Sequence, residues 1–153
     1  AVDRGILGRD GRILGSEKRI RLTERLSLTQ QDVRDVQLAV AAIRSGVELM
    51  LREFRVSAGD LDRVVVAGAF GSSLDIANAV SLGLLPNVPE GKTVFIGNAS
   101  LAGARLLLLA RPARTIAENL AAKISHVSLA TRPDFQDEYV HALEFTRYPE
   151  DEL

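Results

Sequence analysis

The sequence predicts an α/β fold, a mixed sheet with helices packed on it, in which a strand, a glycine turn and a helix occur twice behind one long helix. Three observations carry this. The apolar run Val64-Val65-Val66-Ala67 is closed by Gly68 and Gly71 and followed by a helix start. The run Thr93-Val94-Phe95-Ile96 is closed by Gly97 and followed by the small-residue helix of 101–105. Before both, residues 29–55 carry apolar side chains at alternating spacings of three and four, the period of one helix face. Unbroken β-branched runs suit strands buried on both faces. Two consecutive parallel strands with a right-handed crossover bring both glycine turns to one sheet edge, where α/β proteins bind ligands.

Taken in order, residues 5–15 read as a hairpin around Asp10-Gly11, a turn signal between two short apolar pairs. Residues 18–28 alternate loosely and are expected to be extended, with Ile20, Leu22, Leu26 and Leu28 apolar. Thr29 is a good N-cap, Asp32 stands three residues on, and Leu28 with Val33 can form a hydrophobic staple. The helix that follows presents the stripe Val33, Val36, Val40, Ile43, Val47, Met50 and Phe54, with Arg44 and Glu48 among the residues opposite. That stripe fits a helix laid across a sheet and also fits a coiled coil. Gly46 within it suggests close approach of another backbone. A short turn starts at 57–60, the helix of about 75–82 ends at Gly83, and a Pro/Gly loop spans 87–92. Pro112 suits the first turn of a further helix whose packing face is Ile116, Ala117, Leu120, Ala121 and Ile124. Residues 126–129 read as a short edge strand, residues 133–143 as a last helix with Phe135, Tyr139 and Leu143 inward, and the acidic stretch 148–153 as fraying.

At 153 residues the chain is long enough for one domain with a proper core, expected to span 1–153. A formal net charge of −1 points away from nucleic acid and from a membrane surface. Without cysteine the chain holds no disulfide, thiolate nucleophile or cysteine-ligated cluster. No apolar segment is long enough to span a membrane. The start has neither a signal-peptide layout nor an initiator Met, so the expected location is cytoplasmic and the chain reads as the C-terminal lobe of a longer protein.

The turn at 68–71 admits two readings. A backbone without side chains, beside a helix start with its unpaired N–H groups, suits an anionic ligand. A plain strand-to-helix connection that needs positive φ explains the same glycines. Elsewhere the chemistry is thin. His126 and His141 lack a third ligand at metal-binding spacing, and Ser72 and Ser73 lack a histidine and the nucleophile-elbow motif. Asp60 and Asp62 read as a cap and a strand-end charge, and Arg105, Arg111 and Arg114 as solvated helix ends or phosphate partners. No metal site and no catalytic residue is assigned.

Three stretches resemble one family in order and spacing. They are L-T-Q-Q-D-V-R-D-V-Q-L-A-V-A-A-I-R-S-G-V-E at 28–48, D-L-D-R-V-V-V-A-G-A-F-G-S-S-L-D at 60–75 and F-I-G-N-A-S-L-A-G-A at 95–104, with L-G-L-L-P at 82–86 between them. This pattern is similar to the C-terminal domain of the reductive activators of corrinoid proteins. The resemblance implies a lobe of the actin, sugar-kinase and heat-shock ATPase fold, which binds ATP with Mg²⁺ between two lobes. It implies an ATP-driven electron transfer that returns cob(II)alamin to cob(I)alamin on a corrinoid-binding partner, for methyl transfer. It further implies that Gly68, Ala69, Phe70, Gly71, Ser72 and Asp75 meet the adenosine part, with Gly97, Asn98 and Ala99 as the neighbouring turn. The family's [2Fe–2S] cluster belongs to an N-terminal ferredoxin-type domain absent from this sequence. Its acidic phosphate loops are also missing; Asp3-Arg4-Gly5 has the letters but no preceding strand. Mg²⁺ ligands and any catalytic carboxylate are therefore expected upstream, and the chain alone is expected to hydrolyse ATP poorly. A second reading makes the domain a non-catalytic docking or dimerisation module, homodimeric or seated on the corrinoid protein. A third makes it a small-molecule kinase lobe.

Overall fold

The computed structural model describes residues 5–89 and 91–145, and of Phe70, Ser72 and Ala130 the backbone only. Asp3, Arg4 and the acidic stretch 148–153 lie outside the described residues.

The chain begins with the expected small hairpin. Leu7 and Ile13 form an antiparallel bridge, Gly8 N–H donates to the Arg12 carbonyl at 2.8 Å, and Gly11 takes a φ of 77° at the turn. A second ribbon follows, β1 (Arg19–Arg21) paired antiparallel with β2 (Ser27–Thr29), Ile20 opposite Leu28. Ile20 turns inward onto a cluster of Leu7, Ile13 and Val33, which Phe145 also joins.

Thr29 ends β2 and caps α1 (Gln30–Phe54). Its Oγ1 accepts from Asp32 N–H at 3.2 Å, and Asp32 Oδ2 accepts from Thr29 N–H at 2.7 Å. Aspartate thus completes a reciprocal capping box usually built with glutamate. The helix closes on Arg55, left-handed at φ 54°, with Val56 N–H donating to the Leu51 carbonyl at 3.0 Å.

The buried face of α1 is turned by roughly one residue, about 100°, from the stripe expected by periodicity. Val33 and Val40 are buried as expected, but their companions are Gln37, Ala41, Arg44, Ser45 and Leu49. Ile43 and Phe54 are 50% and 65% exposed. Tertiary partners explain the turn. Gln37 Nε2 donates to the carbonyls of Asp10 (3.2 Å) and Leu143 (2.7 Å), tying the first hairpin and the end of the last helix to α1. One turn and more away, Gln30 holds the same hairpin through the Gly11 carbonyl (2.7 Å) and Ile13 N–H (3.0 Å). Ser45 Oγ donates to the Ala41 carbonyl at 2.7 Å, and Arg44 pairs with Glu48 at 3.5 Å. Polar side chains with such partners can be buried at little net cost, whereas a partnerless one costs its full desolvation. Gln37→Ala leaves two backbone carbonyls without this donor and is expected to destabilise by about 1–3 kcal/mol, read by urea unfolding. Gln31→Ala, on the exposed side, should change stability by about 0.5 kcal/mol or less. Gly46 is approached not by a backbone, as expected, but by the Leu129 side chain, whose Cδ1 would stand 3.3 Å from an added Cβ.

The last helix, Pro133–Ala142, packs along α1. Residues 126–129 do not form the expected edge strand. Among the described residues they pair with no strand, and they run into a 3₁₀ turn, Leu129–Thr131, that leads to this helix. Arg132 spans the junction, reaching Glu53 at 2.7 Å and Asp134 at 2.9 Å, and Arg52 pairs with Glu138. The rings of Phe135 and Tyr139 stack with centroids 6.0 Å apart.

The parallel part is separate from the antiparallel ribbon. β3 (Val64–Val66) pairs with β4 (Thr93–Phe95), Val65 opposite Val94. Between them lie a 3₁₀ turn, Phe70–Ser73, and α2 (Ile76–Ser81), which ends at Gly83 with φ 75°. The two strands are not buried on both faces: Val65 is 52% and Ile96 51% exposed, because among the described residues no further strand or helix covers that side. α3 (Ala99–Leu109) and α4 (Arg111–Ala121) follow and pack on each other. Pro112 sits in the first turn of α4 as expected, but the face of Ile116 and Leu120 is 59% and 57% exposed instead of buried. α5 (Pro133–Ala142) ends the described chain. Among the described residues no helix is long and apolar enough to cross a membrane.

Three aspartates sit at helix or turn starts and are held below the usual carboxylate range. Thr29 hydrogen bonds lower Asp32, Ser57 hydrogen bonds lower Asp60, and the Arg132 guanidinium lowers Asp134. A depressed folded value means the stabilisation is complete above the ordinary aspartate value, about 4, and is lost as pH falls through the folded values. Thermal unfolding followed from pH 6 downward should therefore show a loss of stability beginning near pH 4, with a shallower decline for Asp32→Asn.

Candidate functional site

The carboxyl ends of β3 and β4 bring the two glycine turns side by side. Gly68 N–H donates to the Gly97 carbonyl at 2.7 Å, and Ile96 N–H to the Val66 carbonyl at 3.0 Å, so the parallel ladder runs on into the turns. Gly68 and Gly97 have φ values of 103° and 64°. At both, an added Cβ would meet nothing within 4 Å. These two glycines meet the backbone's need for positive φ and leave open space above the turns.

Gly71 does something else. It is buried, and an added Cβ would stand 2.7 Å from Val66 Cγ1 and 3.5 Å from Phe95 Cδ1. Its missing side chain lets the 3₁₀ turn fold back over β3 and β4. Ala69 precedes that turn in a right-handed helical conformation, and Phe70 and Ser72 lie within it by their backbones.

The two polar candidates serve as caps. Asp75 Oδ1 accepts from Asn78 N–H at 2.8 Å and starts α2; Asn98 Oδ1 accepts from Leu101 N–H at 3.0 Å and starts α3. Ala99 N–H turns back to the Gly97 carbonyl at 2.9 Å. α3 thus begins directly after the Gly97 turn. The space beside α3 is not predicted by the sequence. A groove of about 400 Å³ runs from Asn98 along α3, walled by Leu101, Ala102, Arg105, Leu106 and Leu109. Its signal was present in the i, i+3, i+4 spacing of 98, 101, 102 and 105.

His126 and His141 are both exposed and lie on separate elements. Among the described residues no three of His, Cys, Asp and Glu gather as metal ligands.

Residues 8–152 match the family model described as the C-terminal domain of RACo, the ASKHA domain. The chain belongs to this family. It is 40% identical over 113 residues, 74% of its length, to the corrinoid activation enzyme RamQ of Eubacterium limosum. It is 31% identical over 122 residues to the [Co(II) methylated amine-specific corrinoid protein] reductase of Methanosarcina barkeri. A solved reductive activator for corrinoid, iron–sulfur protein superposes with a TM-score of 0.77 over 93% of the chain, at 32% identity. The chain spans 19% and 22% of the length of the two curated relatives and 26% of the solved chain.

As an ASKHA domain of the corrinoid-activator family, the chain has the actin-like α/β fold expected from its sequence. Its residues fit a nucleotide at the turns in one respect, two glycine backbones open to close approach beside a helix start. They do not fit a [2Fe–2S] cluster, since the chain has no cysteine.

Proposed function

We propose that this domain is the nucleotide-binding lobe of an ATP-dependent reductive activator that returns cob(II)alamin to cob(I)alamin on a corrinoid-binding protein. The observation that carries the proposal is the family match over residues 8–152, joined to the open pair of glycine turns. ATP with Mg²⁺ supplies the driving force when bound between this lobe and a second one. The residues of this chain bind and orient. Gly68 and Gly97 offer backbone at close range, Ala69, Phe70, Gly71 and Ser72 form the turn beside them, and Asp75, Asn98 and Ala99 fix the two helix starts. The Mg²⁺ ligands and the [2Fe–2S] cluster are assigned to other parts of the activator.

The docking-module reading predicts a different result. In a complete activator carrying this domain, reduction of cob(II)alamin on the corrinoid protein can be followed in the visible spectrum with and without Mg-ATP. The proposal expects the ATP-dependent part to collapse in a folded Gly68→Val variant while the corrinoid protein still binds. Undiminished ATP dependence in that variant would move the nucleotide away from these turns and favour a domain that only docks.

A further inference from the structure

Residues 18–25, K-R-I-R-L-T-E-R, hold four cations and one anion in a chain whose net charge is −1. The fold does not spread these charges out. Ile20 points into the core cluster, so Arg19 and Arg21, two residues apart on the ribbon, share its outer face. The loop beyond β1 brings Arg25 to the same face, and the three guanidinium-bearing side chains line one groove of about 360 Å³ with Thr23 and Ser27. Glu17 and Glu24 also line the groove, and among the described residues only Glu17 forms an ion pair with one of these arginines. Arg21 reaches Glu17 only at 4.0 Å, with both side chains about three-quarters exposed, and among the described residues Arg19 and Arg25 make no side-chain hydrogen bond or ion pair. Three arginines against two glutamates leave the groove with a surplus positive charge, which an entering anion would offset.

The loop is also held in shape. Leu22 N–H donates to the Leu26 carbonyl at 2.9 Å, and Thr23 Oγ1 accepts from Arg25 N–H (3.3 Å) and Leu26 N–H (3.0 Å). A site already shaped loses less entropy on binding. Leu26 lines the groove as well and is 57% exposed.

We propose that the β1–β2 hairpin is a docking surface for an acidic segment of a partner protein, with carboxylates on Arg19, Arg21 and Arg25 and an apolar side chain on Leu26. Guanidinium forks match carboxylates in geometry as well as charge. Leu26 and the two glutamates favour a protein over a nucleic acid, whose single strands ask for stacking aromatics and a continuous basic track; residues 17–27 contain no aromatic side chain. Glu17 and Glu24 at the groove select where a carboxylate can enter.

The test is fluorescence anisotropy with a short labelled peptide of glutamates around a central leucine, and a labelled oligothymidylate of equal charge. The expected result is saturable peptide binding that weakens with salt, tighter than that of the oligothymidylate. Arg19→Glu/Arg21→Glu should weaken it on the order of tenfold or more, and Arg19→Lys/Arg21→Lys by less. Circular dichroism monitors folding; should the charge-reversed protein unfold, Arg25→Gln in the loop makes the same comparison. No peptide binding, or equal binding by wild type and the reversed variant, overturns the proposal. Tighter binding of the oligothymidylate overturns it in favour of a nucleic-acid site.

Discussion

A Gly68→Val protein is expected to fold and to lose nucleotide binding. Gly68 stands at φ 103°, a conformation that a β-branched residue adopts only under strain, and its N–H is the donor that joins the first turn to the Gly97 carbonyl. Holding a non-glycine residue in such a region costs about 1–3 kcal/mol of stability, and the added side chain fills the space through which a ligand would approach the backbone. The fold should survive because the added side chain meets open space. Gly71→Ala makes the counterpart. Its Cβ presses on Val66 at 2.7 Å, so the damage falls on the packing of the turn over β3. Calorimetric titration of Mg-ATP together with thermal unfolding separates the two: lost affinity with a moderate fall in stability for Gly68→Val, and lost stability with affinity retained for Gly71→Ala.

Leu49→Ala should be the most damaging truncation on α1. Leu49 is fully buried, and a leucine-to-alanine change at such a site costs about 2–5 kcal/mol through lost transfer energy and the cavity left behind. For a chain of this size that is a fall in melting temperature of roughly 5–20 °C. Phe54→Ala removes a larger side chain from the same helix but from an exposed position, and should cost about 0.5 kcal/mol or less. Periodicity alone ranks these two the other way, since Phe54 belongs to the apolar stripe and Leu49 does not. Urea unfolding of the pair therefore measures which face of α1 is buried.

What was legible in the chain was what neighbouring residues decide. The Thr29–Asp32 capping box, the hairpin at Asp10-Gly11 and the glycine turns after β3 and β4 rest on contacts within a few residues or on a positive φ, and the parallel order of the two strands follows from the crossover rule for consecutive strands. The rotation of α1 was not legible. Gln37 and Ser45 look like surface residues until the carbonyls of Asp10, Leu143 and Ala41 stand beside them, and two of those three partners come from distant segments. Strand burial failed for a related reason: a run of valines reports the preference for a covered strand, while the cover itself must come from another element. At the site, the turns could be located but their glycines could not be sorted. Gly68 and Gly71 both require a missing side chain, one for positive φ and open approach, the other for packing against Val66, and the letter G is the same in each.

The central claim is that the paired turns at the ends of β3 and β4 are where this domain meets its nucleotide. Backbone amide chemical shifts of the isotope-labelled chain, titrated with Mg-ATP and then with ADP, test it most directly, because they read weak binding residue by residue. The account predicts saturable shifts in the amides of Gly68, Gly71, Gly97 and Ala99, with little change at the Gln37 end of α1, and their disappearance in Gly68→Val. Saturable shifts confined to other elements, or none in either turn with the nucleotide in large excess, would contradict it.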